Sequence, residues 1–281
     1  MMRVSTVDEI AMIDAKQLVG THDVLFITLD TLRYDVAADC LANGRTPYLE
    51  SILPHGWEPR HTPGNFTYAA HHAFFAGFLP TPAAPGRHPR LFAAAFPGSE
   101  TTAETTFVYD APTWIDGLRQ AGYYTICIGG VGFFNQQTAL SRVLPALFDE
   151  SHWAPELGVT SANSTERQVA LACRRVAAFP RQQRLMLFVN ISAIHQPNCL
   201  FARGATADSP ETQAAALQYV DRCLPPLFAA FAQRGGLLCC LCSDHGTAYG
   251  EDGYQGHRVS HPVVWTVPYA EFVIHDNEWP A

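Results

Sequence analysis

Short apolar runs alternate with helical patterns along the chain, and this alternation predicts a βαβ protein with a largely parallel sheet. The first run, Val24–Leu29, is short, apolar and bounded by polar residues, as expected of a strand buried on both faces. Further strands are predicted at Thr125–Ile128, Leu185–Ile191, Leu237–Cys242 and Tyr269–Ile274. The predicted fold class is therefore α/β, a three-layer sandwich in which helices flank a largely parallel central sheet.

Helical patterns fill several of the intervals between these strands. They predict helices at Thr113–Ala121, which stops at a glycine, at Ser164–Ala178, and at about Glu211–Gln233. Two stretches, Pro80–Thr106 and Gln196–Pro210, are rich in small and polar residues and are predicted to be long loops. The sequence shows no internal repeat and no linker, which favours a single domain over residues 1–281.

Composition and charge narrow the classes of partner. Hydrophobic residues make up 48% of the 281 residues and charged residues 16%, which suits a well-buried core. The formal net charge of −8 argues against a nucleic acid polymer as partner, because phosphate backbones select basic surfaces. Neither a secretory signal nor an apolar run of membrane-spanning length is visible, so we predict a cytoplasmic protein without a membrane anchor.

The eight cysteines show no framework spacing. Cys239 and Cys242 form a CxxC pair, but no second pair completes a structural zinc site. Buried free thiols are therefore expected, and a redox or structural zinc role for this pair is the alternative.

Candidate ligands stand directly after or shortly after three of the predicted strands. Asp30 follows the first strand, His195 follows Leu185–Ile191, and Asp244 with His245 follows Leu237–Cys242. Open α/β sheets place their ligand sites at these carboxyl ends, so the side chains can converge on one N/O site for Zn²⁺ or Mn²⁺. Taken singly, Asp30 is equally a helix N-cap, His195 a loop residue, and Asp244 the start of a tight turn. Their joint placement favours the metal site.

Several segments resemble the alkaline phosphatase/sulfatase superfamily. The resemblance extends roughly from Asp23 to Ile274. It is carried by LDTLRYD (Leu29–Asp35), TPYLESI (Thr46–Ile52), TYAAHHAFFAG (Thr67–Gly77), WIDGLRQAGYYTICIGG (Trp114–Gly130) and SDHG (Ser243–Gly246). It implies an alkaline phosphatase-like fold.

The resemblance also implies the nucleophile. In sulfatases a glycine stands ten residues after it, and counting back from Gly77 gives Thr67. Nucleotide phosphodiesterases carry threonine there with a histidine four positions on, which matches His71. The Cys or Ser, Pro and Arg of sulfatases are missing, and Thr31 stands where sulfatases have a second acid. The pattern is therefore closer to members with a threonine nucleophile, namely phosphodiesterases and lipid phospho-transferases.

The implied site holds one firm metal, Zn²⁺ by expectation with Mn²⁺ as the alternative, and a second optional metal. Catalytic roles are implied for Thr67, His195 and His257. Metal ligands are implied to be Asp30, Thr67, Asp244, His245 and His257, and substrate contacts to be His71, His195 and His261, with His261 also a competing ligand.

The expected function is a metal-dependent hydrolase that cleaves phosphate esters, or related phosphonate or sulfate esters, through a covalent threonine intermediate. A phospho-group transferase or mutase that uses the same intermediate is the alternative, and a catalytically inactive metal-binding homologue is a third. The expected partner is a small-molecule phosphate or sulfate ester, with homo-oligomerisation left open. The chain stops soon after Tyr269–Ile274, so we expect it to lack the C-terminal subdomain of full-length sulfatases.

Overall fold

The computed structural model describes residues 13–77 and 112–279, together with the backbone of two short strands at 90–92 and 106–108. The strands, in chain order, are β1 (Asp23–Leu29), β2 (Glu58–His61), β3 (Arg90–Phe92), β4 (Thr106–Val108), β5 (Tyr124–Ile128), β6 (Glu150–His152), β7 (Leu185–Ile191), β8 (Leu237–Cys242), β9 (Ala248–Tyr249), β10 (Gln255–Gly256) and β11 (Thr266–Ile274). The helices are α1 (Ala15–Leu18), α2 (Tyr34–Ala42), α3 (Pro47–Ile52), α4 (Thr67–Ala76), α5 (Trp114–Gln120), α6 (Ala139–Val143), α7 (Ser164–Ala177), α8 (Pro210–Cys223), α9 (Pro225–Ala232) and α10 (Pro262–Trp265).

A seven-stranded sheet forms the middle layer, in the order β2-β11-β8-β1-β7-β5-β6. Strand β1 lies at its centre and pairs in parallel with β7 on one side and β8 on the other. Strands β5 and β6 continue the parallel part, whereas β11 and β2 close the other edge with antiparallel pairs. The prediction of a largely parallel sheet is confirmed.

The register of the central strands brings the candidate ligands to one edge. Thr28 of β1 is aligned with Asn190 of β7 and with Cys242 of β8. Because all three strands run in the same direction, the residues that follow them leave the sheet side by side. Asp30 and Asp244 therefore emerge at neighbouring positions.

Two hydrophobic clusters cover the two faces of the sheet. One cluster is mainly aliphatic and includes buried side chains from α2, α7, α8 and α9, such as Val36, Val169 and Leu217. The other is rich in aromatic rings and includes Phe75 of α4 and Phe188 of β7, whose ring centroids lie 5.1 Å apart. Helices on both faces of a central sheet confirm the predicted three-layer architecture.

The prediction of one helix at Glu211–Gln233 is wrong. The structure has two helices there, α8 and α9, which meet at Leu224. Pro225 and Pro226 lack the backbone N–H groups that a continuous helix would need, so they begin a new helix instead. The predicted loop Gln196–Pro210 contains a single 3₁₀ turn at Cys199–Phe201, and the predicted loop Pro80–Thr106 lies largely outside the described residues.

Candidate metal centre

The turn after β1 presents the first carboxylate. Asp30 is fully buried, and its Oδ2 accepts a hydrogen bond of 3.0 Å from the Asn190 side chain. The next residue, Thr31, has φ 63°, a left-handed conformation that a β-branched residue rarely adopts. Such strain costs about 1–3 kcal/mol and is typical of functional sites.

The turn after β8 presents the second carboxylate. Asp244 Oδ1 accepts hydrogen bonds from the backbone N–H of Thr31 at 3.1 Å and of His245 at 3.0 Å. The Thr62 hydroxyl donates to the Asp244 carbonyl oxygen. Gly246 is required here, since a Cβ at this position would collide with the Val263 carbonyl. The two ligand-bearing turns are thus hydrogen-bonded directly to each other.

Helix α4 places the candidate nucleophile. Thr67 is its first residue and follows Phe66 in extended conformation, and Gly77, with φ 72°, ends the helix in the left-handed conformation. The Thr67 side chain lies within the site, 2% of the residue is exposed, and its Oγ1 is 3.4 Å from His245 Nε2. The ten-residue spacing between Thr67 and Gly77 is therefore the length of one complete helix.

Backbone carbonyls fix the orientation of two candidate histidines. His245 Nδ1 lies 2.8 Å from the Gly246 carbonyl oxygen, and His195 Nδ1 lies 2.6 Å from that of Gln196. Because a carbonyl oxygen only accepts, Nδ1 carries the proton in each ring, and Nε2 keeps its lone pair. A histidine that donates through one nitrogen to a carbonyl and offers the other is the usual arrangement of a metal ligand.

The unpaired acceptors of this cluster fit a divalent cation. Ligand atoms of Asp30, Asp244 and His245 all lie within 4.8 Å of one another. Within the described part of the chain, Asp30 Oδ1 and Asp244 Oδ2 are buried without a hydrogen-bond partner. Burial, and then the charge of Asp244, hold the pKa of Asp30 well above its usual range, and burial lowers the pKa of His245 to about 3. Two buried carboxylates beside a neutral imidazole form an N/O donor set that Zn²⁺ or Mn²⁺ satisfies.

Two more histidines line the same cluster. The ring centroid of His257 lies 4.7 Å from that of His245 and 5.7 Å from that of His195. Among the described residues, His257 Nδ1 is buried without a hydrogen-bond partner. Burial is the main cause that lowers the pKa of His257 to about 4, so its imidazole is neutral at pH 7. The fold therefore places His195 and His257 beside the candidate ligands, and their catalytic and metal-binding roles stay predictions.

His71 and His261 occupy different surroundings. His71 is fully buried behind Thr67, with Nδ1 2.7 Å from the Thr67 carbonyl oxygen and Nε2 3.0 Å from Thr28 Oγ1. His261 caps α10, where Nδ1 accepts from the Val263 N–H and Nε2 lies 3.1 Å from Asp252 Oδ2. Both ring nitrogens are engaged in each case. These contacts favour supporting roles over the predicted substrate contacts.

Sequence reasoning missed Asn190 and Gln213. The Asn190 amide joins Asp30 to the turn after β5, because its Oδ1 accepts from the N–H groups of Gly130 at 3.2 Å and Val131 at 3.1 Å. A lone amide in the apolar run LMLFVNI was the available signal, since a buried amide needs partners. Gln213 lies in an ordinary amphipathic helix, and nothing in the sequence marks it.

Arg33 forms ion pairs that support the turn after β1. Its guanidinium forms an ion pair of 2.5 Å with Asp35 and a second ion pair with Glu251, which follows β9. Arg33 thereby ties the Asp30 turn to the segment that leads to His257.

Solved structures with a similar fold place the chain among known architectures. No protein-family model matches the chain, and no curated protein is similar enough in sequence to match. The C-terminal periplasmic domain of EcEptC from Escherichia coli, in complex with Zn, is similar with a TM-score of 0.61 at 14% identity, over 92% of this chain and 74% of that one. The lipoteichoic acid synthase LtaP from Listeria monocytogenes has a TM-score of 0.58 at 12% identity, over 90% of this chain and 65% of that one. A protein in the alkaline phosphatase superfamily from Vibrio parahaemolyticus has a TM-score of 0.56 at 16% identity, over 92% of this chain and 61% of that one.

The chain shares its fold with a protein of the alkaline phosphatase superfamily, so the resemblance seen in the sequence is confirmed at the level of fold. None of the helices in the described part of the chain is long and apolar enough to cross a membrane. The single-domain organisation, the cytoplasmic location and the oligomeric state stay predictions.

Proposed function

We propose that this chain is a metal-dependent enzyme that transfers a phospho-group from a phosphate ester through Thr67, to an alcohol or to water. The observation that carries the proposal is the position of the Thr67 hydroxyl. It lies 3.4 Å from His245 Nε2, at the first residue of a ten-residue helix, beside two buried carboxylate oxygens that have no hydrogen-bond partner in the described part of the chain. A helix N-terminus and cation ligands around one hydroxyl suit chemistry on an anionic ester.

The residues that would hold the metal are Asp30, Asp244, His245 and Thr67. When bound, the ion supplies positive charge that lowers the pKa of the threonine hydroxyl and offsets the two carboxylates. The nitrogen and oxygen donor set suits Zn²⁺ or Mn²⁺. The zinc in the similar EptC domain supports Zn²⁺ as the first ion to test.

The chain's own groups account for the rest of the reaction. Thr67 Oγ gives up its proton and forms a bond to phosphorus while the ester oxygen leaves with the bonding electron pair and takes up a proton as the free alcohol, which gives a phosphothreonine. The positive end of the α4 dipole favours the negative charge that develops beside Thr67. His195 and His257 line the cluster. The neutral His257 imidazole can donate a hydrogen bond from one ring nitrogen to a phosphate oxygen, and the free Nε2 of His195 can serve as a ligand of the second, optional metal. The oxygen of the acceptor alcohol or water then attacks phosphorus, the bond between phosphorus and Thr67 Oγ breaks, and the proton lost by the acceptor restores the Thr67 hydroxyl.

Transfer to an alcohol has more support than hydrolysis. The similar structures include a domain of the phosphoethanolamine transferase EptC from Campylobacter jejuni and the lipoteichoic acid synthase LtaP. The covalent intermediate itself is common to both outcomes, because water and an alcohol are alternative acceptors for the same phosphothreonine. The acceptor therefore has to be measured.

The test is turnover of aryl phosphate mono- and diesters by Zn²⁺- or Mn²⁺-loaded protein, with and without small alcohols. Thr67→Ala should lower turnover by at least about 1000-fold, since loss of a covalent nucleophile removes the main route. Thr21→Ala, at the opposite end of the sheet, is the matched control and should be unchanged. With an aryl monoester, a transferase forms alkyl phosphate in proportion to added alcohol, whereas a hydrolase releases only free phosphate. With a diester, the corresponding products are a new diester and a phosphate monoester. Full turnover by Thr67→Ala would contradict the proposal.

A further inference from the structure

A buried hydrogen-bond network connects the turns that carry the candidate ligands. Its centre is the hydroxyl of Tyr249 in β9, which accepts from Asn198 Nδ2 at 2.9 Å and from Gln213 Nε2 at 3.2 Å. Both amide residues are fully buried. Buried amides of this kind must find partners, so their geometry is tightly defined.

Gln213 holds the Asp30 turn by its backbone. Its Nε2 donates to the Thr31 carbonyl oxygen at 2.9 Å, and its Oε1 accepts from the Arg33 N–H at 3.1 Å. The amide nitrogen and oxygen of Gln213 thus hydrogen-bond the residues on and after the left-handed Thr31. The Thr31 N–H in turn donates to Asp244 Oδ1. These hydrogen bonds stabilise the strained conformation of Thr31, which places Asp30 beside Asp244.

Asn198 holds the His195 turn in the same way. Its Nδ2 also donates to the Ile194 carbonyl oxygen at 3.0 Å, and the Thr31 hydroxyl donates to that same oxygen at 3.3 Å. Tyr249 itself is paired with Gln255 in β10, shortly before His257, and its N–H donates to Glu251 at 2.6 Å. One hydroxyl therefore sits where the Asp30, His195 and His257 segments meet.

We propose that Tyr249 and Gln213 are positioning residues that preorganise the metal centre without touching the metal. The inference rests on the proposed metal-dependent function. The carboxylates of Asp30 and Asp244 repel each other before a cation binds, so the turns that carry them need a rigid support. Outer partners of this kind usually change metal affinity by about 10- to 100-fold when they are removed.

The test compares Tyr249→Phe, which removes only the hydroxyl, with Gln213→Met, which keeps the length of the side chain. Tyr219→Phe is the matched control, because the Tyr219 hydroxyl accepts from the Glu166 N–H in a part of α8 away from the site. Zn²⁺ affinity is measured by competition with a chromophoric chelator, and the Co²⁺ absorption spectrum reports ligand geometry. Thermal unfolding of the metal-free proteins shows whether each variant is folded.

Tyr249→Phe and Gln213→Met should each weaken Zn²⁺ binding by about 10- to 100-fold and alter the Co²⁺ spectrum, while Tyr219→Phe matches the wild type. Wild-type affinity and spectrum in both variants would overturn the positioning role and leave the proposed function intact. Variants that lose thermal stability but keep the wild-type affinity and spectrum would overturn it equally. A wild-type protein that binds neither ion would overturn the proposed function together with this inference.

Discussion

Strand β1 carries a buried aspartate at each end, and the two have opposite surroundings. Asp23, at its start, accepts from Arg234 Nε at 2.7 Å and from the Leu185 N–H at 2.8 Å, and Arg184 lies 3.5 Å away. Asp30, just after its end, has one amide partner and a second carboxylate as its charged neighbour. Both side chains are fully buried.

The difference separates a structural carboxylate from a functional one. A buried charge is stable when a fixed cation and hydrogen bonds compensate it, as at Asp23. Among the described residues Asp30 has no cationic partner, so its ionised form would be compensated by a cation from outside. Proteins retain such an uncompensated group where it serves a ligand.

Asp23→Asn removes the ion pair with Arg234 at the start of β1 and should have the largest effect on the free energy of unfolding. Loss of the carboxylate leaves Arg234 buried without its charged partner, which costs about 3–5 kcal/mol. Urea unfolding measures the change. Asp30→Asn in the metal-free protein is the control and should cost far less, because it removes repulsion between carboxylates. Equal losses of unfolding free energy in both variants would contradict the distinction between a structural Asp23 and a functional Asp30.

Zinc should stabilise the wild type and leave Asp30→Asn nearly unchanged. An ion that binds only the folded protein adds about 2.7 kcal/mol at 100 times its Kd. We expect the variant to bind Zn²⁺ more than about 100-fold more weakly, since loss of a direct ligand exceeds the effect of an outer partner. Thermal unfolding with and without Zn²⁺ gives the shift. A full shift in Asp30→Asn would show that Zn²⁺ binds elsewhere.

The pH dependence of stability should also differ, with a smaller effect. Burial and the charge of Asp244 raise the pKa of Asp30, so over the interval above its ordinary pKa the folded state holds a proton that the unfolded chain has lost. The contribution of this group to stability is therefore lost as pH rises. Metal-free wild type should lose stability relative to Asp30→Asn as pH rises above the ordinary pKa of an aspartate, as measured by urea unfolding. A constant difference would contradict the raised pKa.

The residues at the carboxyl ends of the strands could be predicted from the sequence better than the segments that connect the strands. Asp30, Asp244 and His245 were predictable because they follow apolar runs that form buried parallel strands. The break at Pro225 required the rule that proline starts a helix to be weighed above an unbroken apolar pattern. Gln213 could not be found, because its role depends on Thr31, which lies far away in sequence and close only in the fold.

Locating the phospho-group on the protein is the sharpest test of Thr67 as the nucleophile. Zn²⁺-loaded wild type and Thr67→Ala are mixed with an aryl phosphate ester, quenched in acid, digested and examined by mass spectrometry. We predict a phospho-group on Thr67 in the wild type, formed as the aryl alcohol is released, and no modified peptide in Thr67→Ala. Release of the aryl alcohol at the wild-type rate by Thr67→Ala, with the wild-type peptide unmodified, would contradict a covalent role for Thr67.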